Sequence, residues 1–262
     1  MSNSIWWGDF TFDLQEQKCW SIGQRAILLK RKATEWNTWN IESVAQEHDD
    51  ITLSDGANFT VESTDVVGRF LEKSTSDTVK VFPLLADRTV IARPSSPLVI
   101  LAGEKIQLFI STPIWFCAHT VPSGKCIVDL PFWRPSDSWF GSSTIDGQLC
   151  YAKYTSAKTQ LEDLDLHSHK ATTSIIVVNN HDQPFTINRI NVPVNHLHLY
   201  SDEQNNLWTS RLTIEIKNDS SDVELIVDKS VSSELAPLTF ISSPRVSLGH
   251  GKLIRRISNL LG

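Results

Sequence analysis

The feature that most constrains this chain is a two-residue alternation of apolar and polar side chains, recurring along its length with almost no helical period. Between residues 211 and 217, Leu212, Ile214 and Ile216 fall on one side while Arg211, Thr213, Glu215 and Lys217 fall on the other. This is the pattern of a strand with one buried face. Val223, Leu225 and Val227 repeat it after a run of Asn, Asp and Ser at 218–222, so the two segments are predicted to pair as a hairpin. The same alternation marks Ile106, Leu108 and Ile110, then Val79 and Val81, then Phe185 and Ile187. β-Branched and aromatic residues dominate these runs, as the half-buried surface of a pleated sheet favours. Such segments, joined by short Asn/Asp/Ser/Pro/Gly turns, predict an all-β fold of sandwich or jelly-roll type with about fifteen short strands.

A chain of 262 residues is long for one hydrophobic core, which favours two sandwich-like parts. The polar stretch over 155–170 places the division, giving an N-terminal β domain of 1–163 and a C-terminal β-sandwich-like domain of 164–248. Residues 249–262 break the alternation. Leu253, Ile254, Ile257, Leu260 and Leu261 lie opposite Lys252, Arg255 and Arg256 at helical spacing, predicting one short amphipathic helix. So short a helix needs a surface to dock on: the end of its own sandwich, a partner, or an anionic membrane.

Several function classes are excluded or disfavoured. A net charge of −6 and a pI near 5.7 lack the basic excess that binding to a phosphate backbone needs, so nucleic acid is not an expected partner. The first residues have no basic segment followed by an apolar run, and no stretch reaches membrane-spanning length, so a cytoplasmic location of bacterial type is expected. Cys19, Cys117, Cys126 and Cys150 are too few and too irregularly spaced for a disulfide scaffold and are read as buried thiols. No nucleophile elbow, glycine-rich phosphate loop, His-Glu-x-x-His or dinucleotide fingerprint occurs. No catalytic residue is therefore assigned, and no cofactor is expected.

The best site candidate is the stretch 132–141, read as a turn-like loop. There Phe132, Trp133, Trp139 and Phe140 surround Arg134 and Asp137. Pro135 stiffens it, and an aromatic segment bearing a charge of each sign needs either internal partners or a ligand. A packed turn, with Arg134 stacked on an indole and Asp137 capping main-chain amides, is the competing structural role. A second cluster, Asp163, Asp165, His167 and His169, shares one face if the segment is extended, with His196 and His198 as a matching pair elsewhere. These four histidines are the metal-ligand candidates, but they need convergence between strands, so no metal is assigned and a solvated face is expected. Trp6, Trp7, Trp36 and Trp39 are the indoles whose exposure would point to sugar stacking.

The runs Asp87-Arg88-Thr89-Val90-Ile91-Ala92-Arg93-Pro94, Ser111-Thr112-Pro113-Ile114-Trp115, Arg134-Pro135-Ser136-Asp137 with Trp139-Phe140-Gly141, and Leu149-Cys150-Tyr151-Ala152 resemble the bacterial branch of the domain-of-unknown-function 432 family. Trp6-Trp7-Gly8 and Asn191-Val192-Pro193 are similar to it as well. The resemblance implies no activity. It adds Arg88 and Arg93 to the candidate site of Trp133, Arg134, Asp137 and Trp139, and it associates such proteins with mechanosensitive-channel genes. The expected function is that of a non-enzymatic interaction module. It would bind a protein partner, with a membrane-channel complex as its setting, through the aromatic loop and the C-terminal helix. The alternative is a ligand-binding or hydrolytic enzyme acting on a glycan or small anion.

Overall fold

The computed structural model describes residues 5–42, 50–56, 66–94, 96–141, 145, 147–154, 157–217, 222–228, 237–248, 252–256 and 261. Among them the chain is almost entirely β, in several sheets. It divides into two compact units, the first made of Met1–Leu84, Ile114–Arg134 and His167–His169, the second of Leu85–Pro113, Pro135–Leu166 and Lys170–Gly262.

The first unit opens with β1 (Gly8–Thr11), β2 (Gln17–Ile22), β3 (Arg25–Arg31), β4 (Glu35–Glu42), β5 (Thr52–Ser54), β6 (Gly68–Leu71) and β7 (Thr78–Leu85). After β8 (Val90–Arg93) and β9 (Leu98–Ile100), the long β10 (Lys105–Val121) begins in the second unit and ends in the first, where β11 (Cys126–Pro131) follows. One sheet of the first unit has the order β5-β2-β3-β4-β6. The other runs β1-β7-β10 with β11 on β10. Their inner faces meet through aromatic rings: Trp20 on β2 lies 4.9 Å from Phe116 on β10 and 5.2 Å from Phe10 on β1, and Trp6 stacks on Phe116 at 5.8 Å. Two sheets joined by interdigitating side chains form a sandwich. Deleting a ring as deeply buried as Trp20 costs about 3–5 kcal/mol.

Long-range hydrogen bonds tie separate segments together in this interior. Trp20 Nε1 donates to the Trp6 carbonyl at 2.9 Å, and Ser168 Oγ accepts the Ile51 amide at 3.0 Å. The Ser168 bond explains why residues 167–169 join the first unit although they sit late in the chain. Trp6, Trp36 and Trp39 are buried and Trp7 is half-buried, so the indoles singled out for sugar stacking belong mainly to this core.

The second unit adds β12 (Ser136–Phe140), β13 (Gln148–Tyr154), β14 (Lys170–Asn179), β15 (Phe185–Ile187), β16 (Ile190–Val192), β17 (Leu199–Ser201) and β18 (Leu207–Thr209). The chain continues through β19 (Leu212–Ile216), β20 (Asp222–Val227), β21 (Thr239–Ser242) and β22 (Lys252–Arg256). β14 is antiparallel to β10 from Lys105↔Val178 to Pro113↔Lys170, and along its other edge it runs parallel first to β18 and then to β19. β19 and β20 form the hairpin expected from their alternation, with Leu212 opposite Val227 and Ile216 opposite Val223. A four-stranded sheet of order β12-β13-β8-β16 and the pair β9-β15 complete the unit. Buried Asn179 ties the end of β9 to the turn that follows β14: the two hydrogens of its Nδ2 are shared among the carbonyls of Ile100, Leu101 and Gln183, and its Oδ1 accepts the His181 amide.

Three expectations are corrected here. The division at 163/164 falls inside the second unit, because β8 pairs parallel with β13 and antiparallel with β16, so strands on both sides of that point share one sheet. The C-terminal segment is no helix where it is described. Residues 252–256 form β22 on the edge of β20, since an exposed sheet edge supplies backbone partners that a short isolated helix lacks; 257–260 lie outside the described residues. The stretch 163–169 is also not an extended strand. It consists of a 3-10 turn at Leu161–Asp163, irregular backbone, and a turn at Ser168 and His169, so its carboxylates and imidazoles do not alternate on one face.

Glu35, at the start of β4, is 6% exposed and ion-paired to Lys32 and Arg69, each at 2.5 Å. Hydrogen bonds from Lys32 and then Arg69 hold its carboxyl below the ordinary glutamate value against the opposing effect of burial. A lowered folded value means that the contribution to stability is complete above the ordinary value and is lost as pH falls through the lower one. Thermal unfolding followed across that acid range is expected to lose more stability in the native chain than in Glu35→Gln. Equal acid sensitivity of the two proteins would contradict the assignment.

Candidate functional site

The stretch 132–141 is partly strand. Residues 132–135 are irregular, and Ser136–Phe140 pairs with β13 as β12, the edge strand of its sheet among the described residues, because its alternation finds a partner in Gln148–Ala152. This pairing sorts the side chains. Phe140, Cys150 and Ile91 point inward as a small buried core. Asp137 and Trp139 point to the other face, opposite Tyr151 and Leu149 respectively.

On that outer face, Arg88 Nη1 donates to Asp137 Oδ1 at 3.1 Å, and Arg88 Nε stands 3.7 Å from Asp87 Oδ2. The Tyr151 hydroxyl donates to Asp87 Oδ1 at 2.9 Å, and the guanidinium of Arg88 sits 5.4 Å from the Tyr151 ring centroid. Beside this cluster Trp139 is 45% exposed and Leu149 is 47% exposed. The Trp139 indole lies so close to the backbone of Gly147 that a Cβ there would meet its Nε1 at 2.2 Å. Glycine at 147 is what lets the ring lie down against the chain, with its other side toward solvent.

Of the six residues expected to form the site, Arg88, Asp137 and Trp139 come together. Arg93 ends β8 opposite Tyr154 in the register. Trp133 and Arg134 are exposed and belong to the first unit, where Trp133 packs 5.3 Å from His169 and next to Gly23. Tyr151, Leu149, Asp87 and Gly147 were missed as members. Asp87 and Tyr151 stand within the runs that carry the family resemblance, but only the β12-β13 register brings them to Asp137 and Arg88.

The four candidate histidines are divided between the two units. His167 and His169, 5.2 Å apart, belong to the first unit, whereas His196 and His198 belong to the second. His196 closes a 3-10 turn with Nδ1 2.9 Å from the Val246 carbonyl, and His198 Nδ1 lies 3.3 Å from Ser210 Oγ. A different set converges. Cys117, His119 and Cys126 bring their ligand atoms within 4.8 Å of one another, and Cys126 is exposed rather than buried as expected. The available signal was Cys-x-His on one strand with a second Cys seven residues on, past the turn-forming Pro122, Ser123 and Gly124.

The model of the family described as protein of unknown function (DUF432) matches residues 6–257. The chain belongs to this family. No curated protein matches the DUF432 chain, and no solved structure does. No helix among its described residues is long and apolar enough to cross a membrane.

The Arg88–Asp137 pair is more than one-third exposed on both sides, so it contributes little to stability. A double-mutant cycle of Arg88→Ala and Asp137→Ala, read by chemical denaturation, is expected to give a coupling of about 0.2–1 kcal/mol. A coupling several times larger would show that the pair is a structural clamp rather than part of an open face.

Proposed function

We propose that this chain is a cytoplasmic interaction module that binds a protein partner through the β12-β13 face, and that it is not an enzyme. The observation that carries this reading is the exposed Trp139–Leu149 pair, set on a backbone that Gly147 lets the indole approach and bordered by Asp87, Arg88 and Asp137. Aromatic anchors surrounded by polar groups are the common energetic centre of protein interfaces. A ring already held in place loses little freedom on binding.

A hydrolytic role on a glycan or small anion is less well supported. Both carboxylates of the face engage Arg88 or Tyr151, an arrangement suited to recognition more than to proton transfer. The setting implied by the family resemblance, a membrane-channel complex, supplies the first partner to test. The C-terminal segment takes no part in this reading, since residues 252–256 are a strand of the sheet.

Affinity capture from native cells identifies the partner, and the purified partner is then titrated with the native chain, Trp139→Ala and Gly147→Ala. Trp139→Ala removes the anchor and is expected to weaken binding by at least about tenfold. Gly147→Ala displaces the indole and is expected to weaken it in the same direction, with thermal stability checked for each variant. Binding that is unchanged in both folded variants would contradict the proposal.

A further inference from the structure

Outside that face, the hairpin of β10 and β11 carries a cluster of reactive side chains among the described residues. Cys117 and His119 are two residues apart on β10, which puts them on the same side of the strand. Cys126 is the register partner of His119 on β11, and a register shift between Ala118 and His119 re-aims the side chains at that point. All three come from the first unit, so the convergence is local to one hairpin.

We propose that Cys117, His119 and Cys126 form a site for a single zinc(II) ion, with one coordination position open to solvent or to an external ligand. The donors decide the class of ion: two sulfurs and an imidazole suit zinc and other thiophilic metals and are poor ligands for magnesium or calcium, which take oxygen. Tetrahedral zinc with such ligands holds its donor atoms roughly 3.5–4 Å apart. The present spacing, within 4.8 Å, therefore closes by small side-chain rotations. Zinc sites that serve only as structural staples are usually closed by four protein ligands, whereas three protein ligands leave room for exchange. The burial of the set fits the second kind, because Cys117 is buried, His119 half-buried and Cys126 exposed, so the site opens on one side.

The surroundings hold the imidazole in place. The His119 ring is half-buried on β10. Phe82 packs edge-on against it at 5.0 Å and limits its rotation. The Asp129 carboxylate also supplies negative charge near the site, as acidic neighbours of zinc-binding histidines commonly do. By contrast, burial pushes the Cys19 thiol up to about 12, the value of an inert core thiol.

Metal binding would displace the thiol protons and is expected to leave the fold unchanged, since Trp6, Trp20, Phe116 and Phe132 pack the first unit without it. The test uses the full chain, reduced and stripped of metal, titrated with cobalt(II) as a spectroscopic stand-in and then with zinc(II). One cobalt per chain is expected, with a sulfur-to-cobalt charge-transfer band, tetrahedral visible bands, and loss of both when zinc is added. Cys126→Ser, at an exposed position that tolerates change, is expected to cut the charge-transfer band to roughly half and to weaken zinc binding by at least about tenfold. His119→Gln is expected to weaken zinc while keeping the sulfur band, and Cys150→Ala, in the other unit, to bind as the native chain does. Absence of a sulfur-to-cobalt band, uptake of copper(I) with none of zinc, or native-like zinc affinity in Cys126→Ser would each overturn the assignment.

Discussion

The hydrogen-bonded ladder of β10 is the constraint on which the rest of the structure depends. Its first half pairs residue by residue with β14, closing a chain separation of more than fifty residues, and its second half pairs with β11 and lies next to β7. A strand with neighbours on both edges cannot slip by one residue without turning every core side chain to the wrong face. Phe116 illustrates the consequence, since its ring contacts with Trp6, Trp20 and Phe132 exist only in this register. The alignment of His119 with Cys126 follows from the same ladder, so the proposed metal site is a by-product of how the first unit is held together.

The second unit obeys a similar logic with a different outcome. Its sheet of β12, β13, β8 and β16 joins strands from before β10, between β10 and β14, and after β14, and among the described residues β12 is at its edge. The inner face of that strand is fixed by Phe140 against Ile91 and Cys150. With the inner face committed, Asp137 and Trp139 must point outward, where Arg88 and Tyr151 from neighbouring chain segments meet the charge. Trp139 and Leu149 leave adjoining apolar surface exposed there, and that surface is the motive for reading the face as a partner surface.

What was legible in the sequence follows the range of the forces involved. Two-residue alternation is local, so the strands at 212–216 and 222–227, their hairpin and the all-β class could be read directly. Strand pairing is not local, and this is why the division at 163/164 missed the segments that cross it. The tail illustrates the same limit: its helical spacing is real, but backbone pairing with β20 outweighs a helix too short to stand alone. Arg88 with Asp137 was anticipated through the family resemblance, whereas Leu149 and Gly147 became visible only once the β12-β13 register was known. Cys117 and Cys126 looked like isolated thiols because their spacing matches no common zinc motif; a hairpin brings together what the sequence separates.

The most direct test is amide hydrogen exchange on the native chain. If β10 is the element that both units are built on, the amides of Leu108, Ile110, Phe116 and Ala118 exchange slowest, and only through global unfolding. Exchange at those amides as fast as at Trp139 on the edge strand β12 would contradict the account.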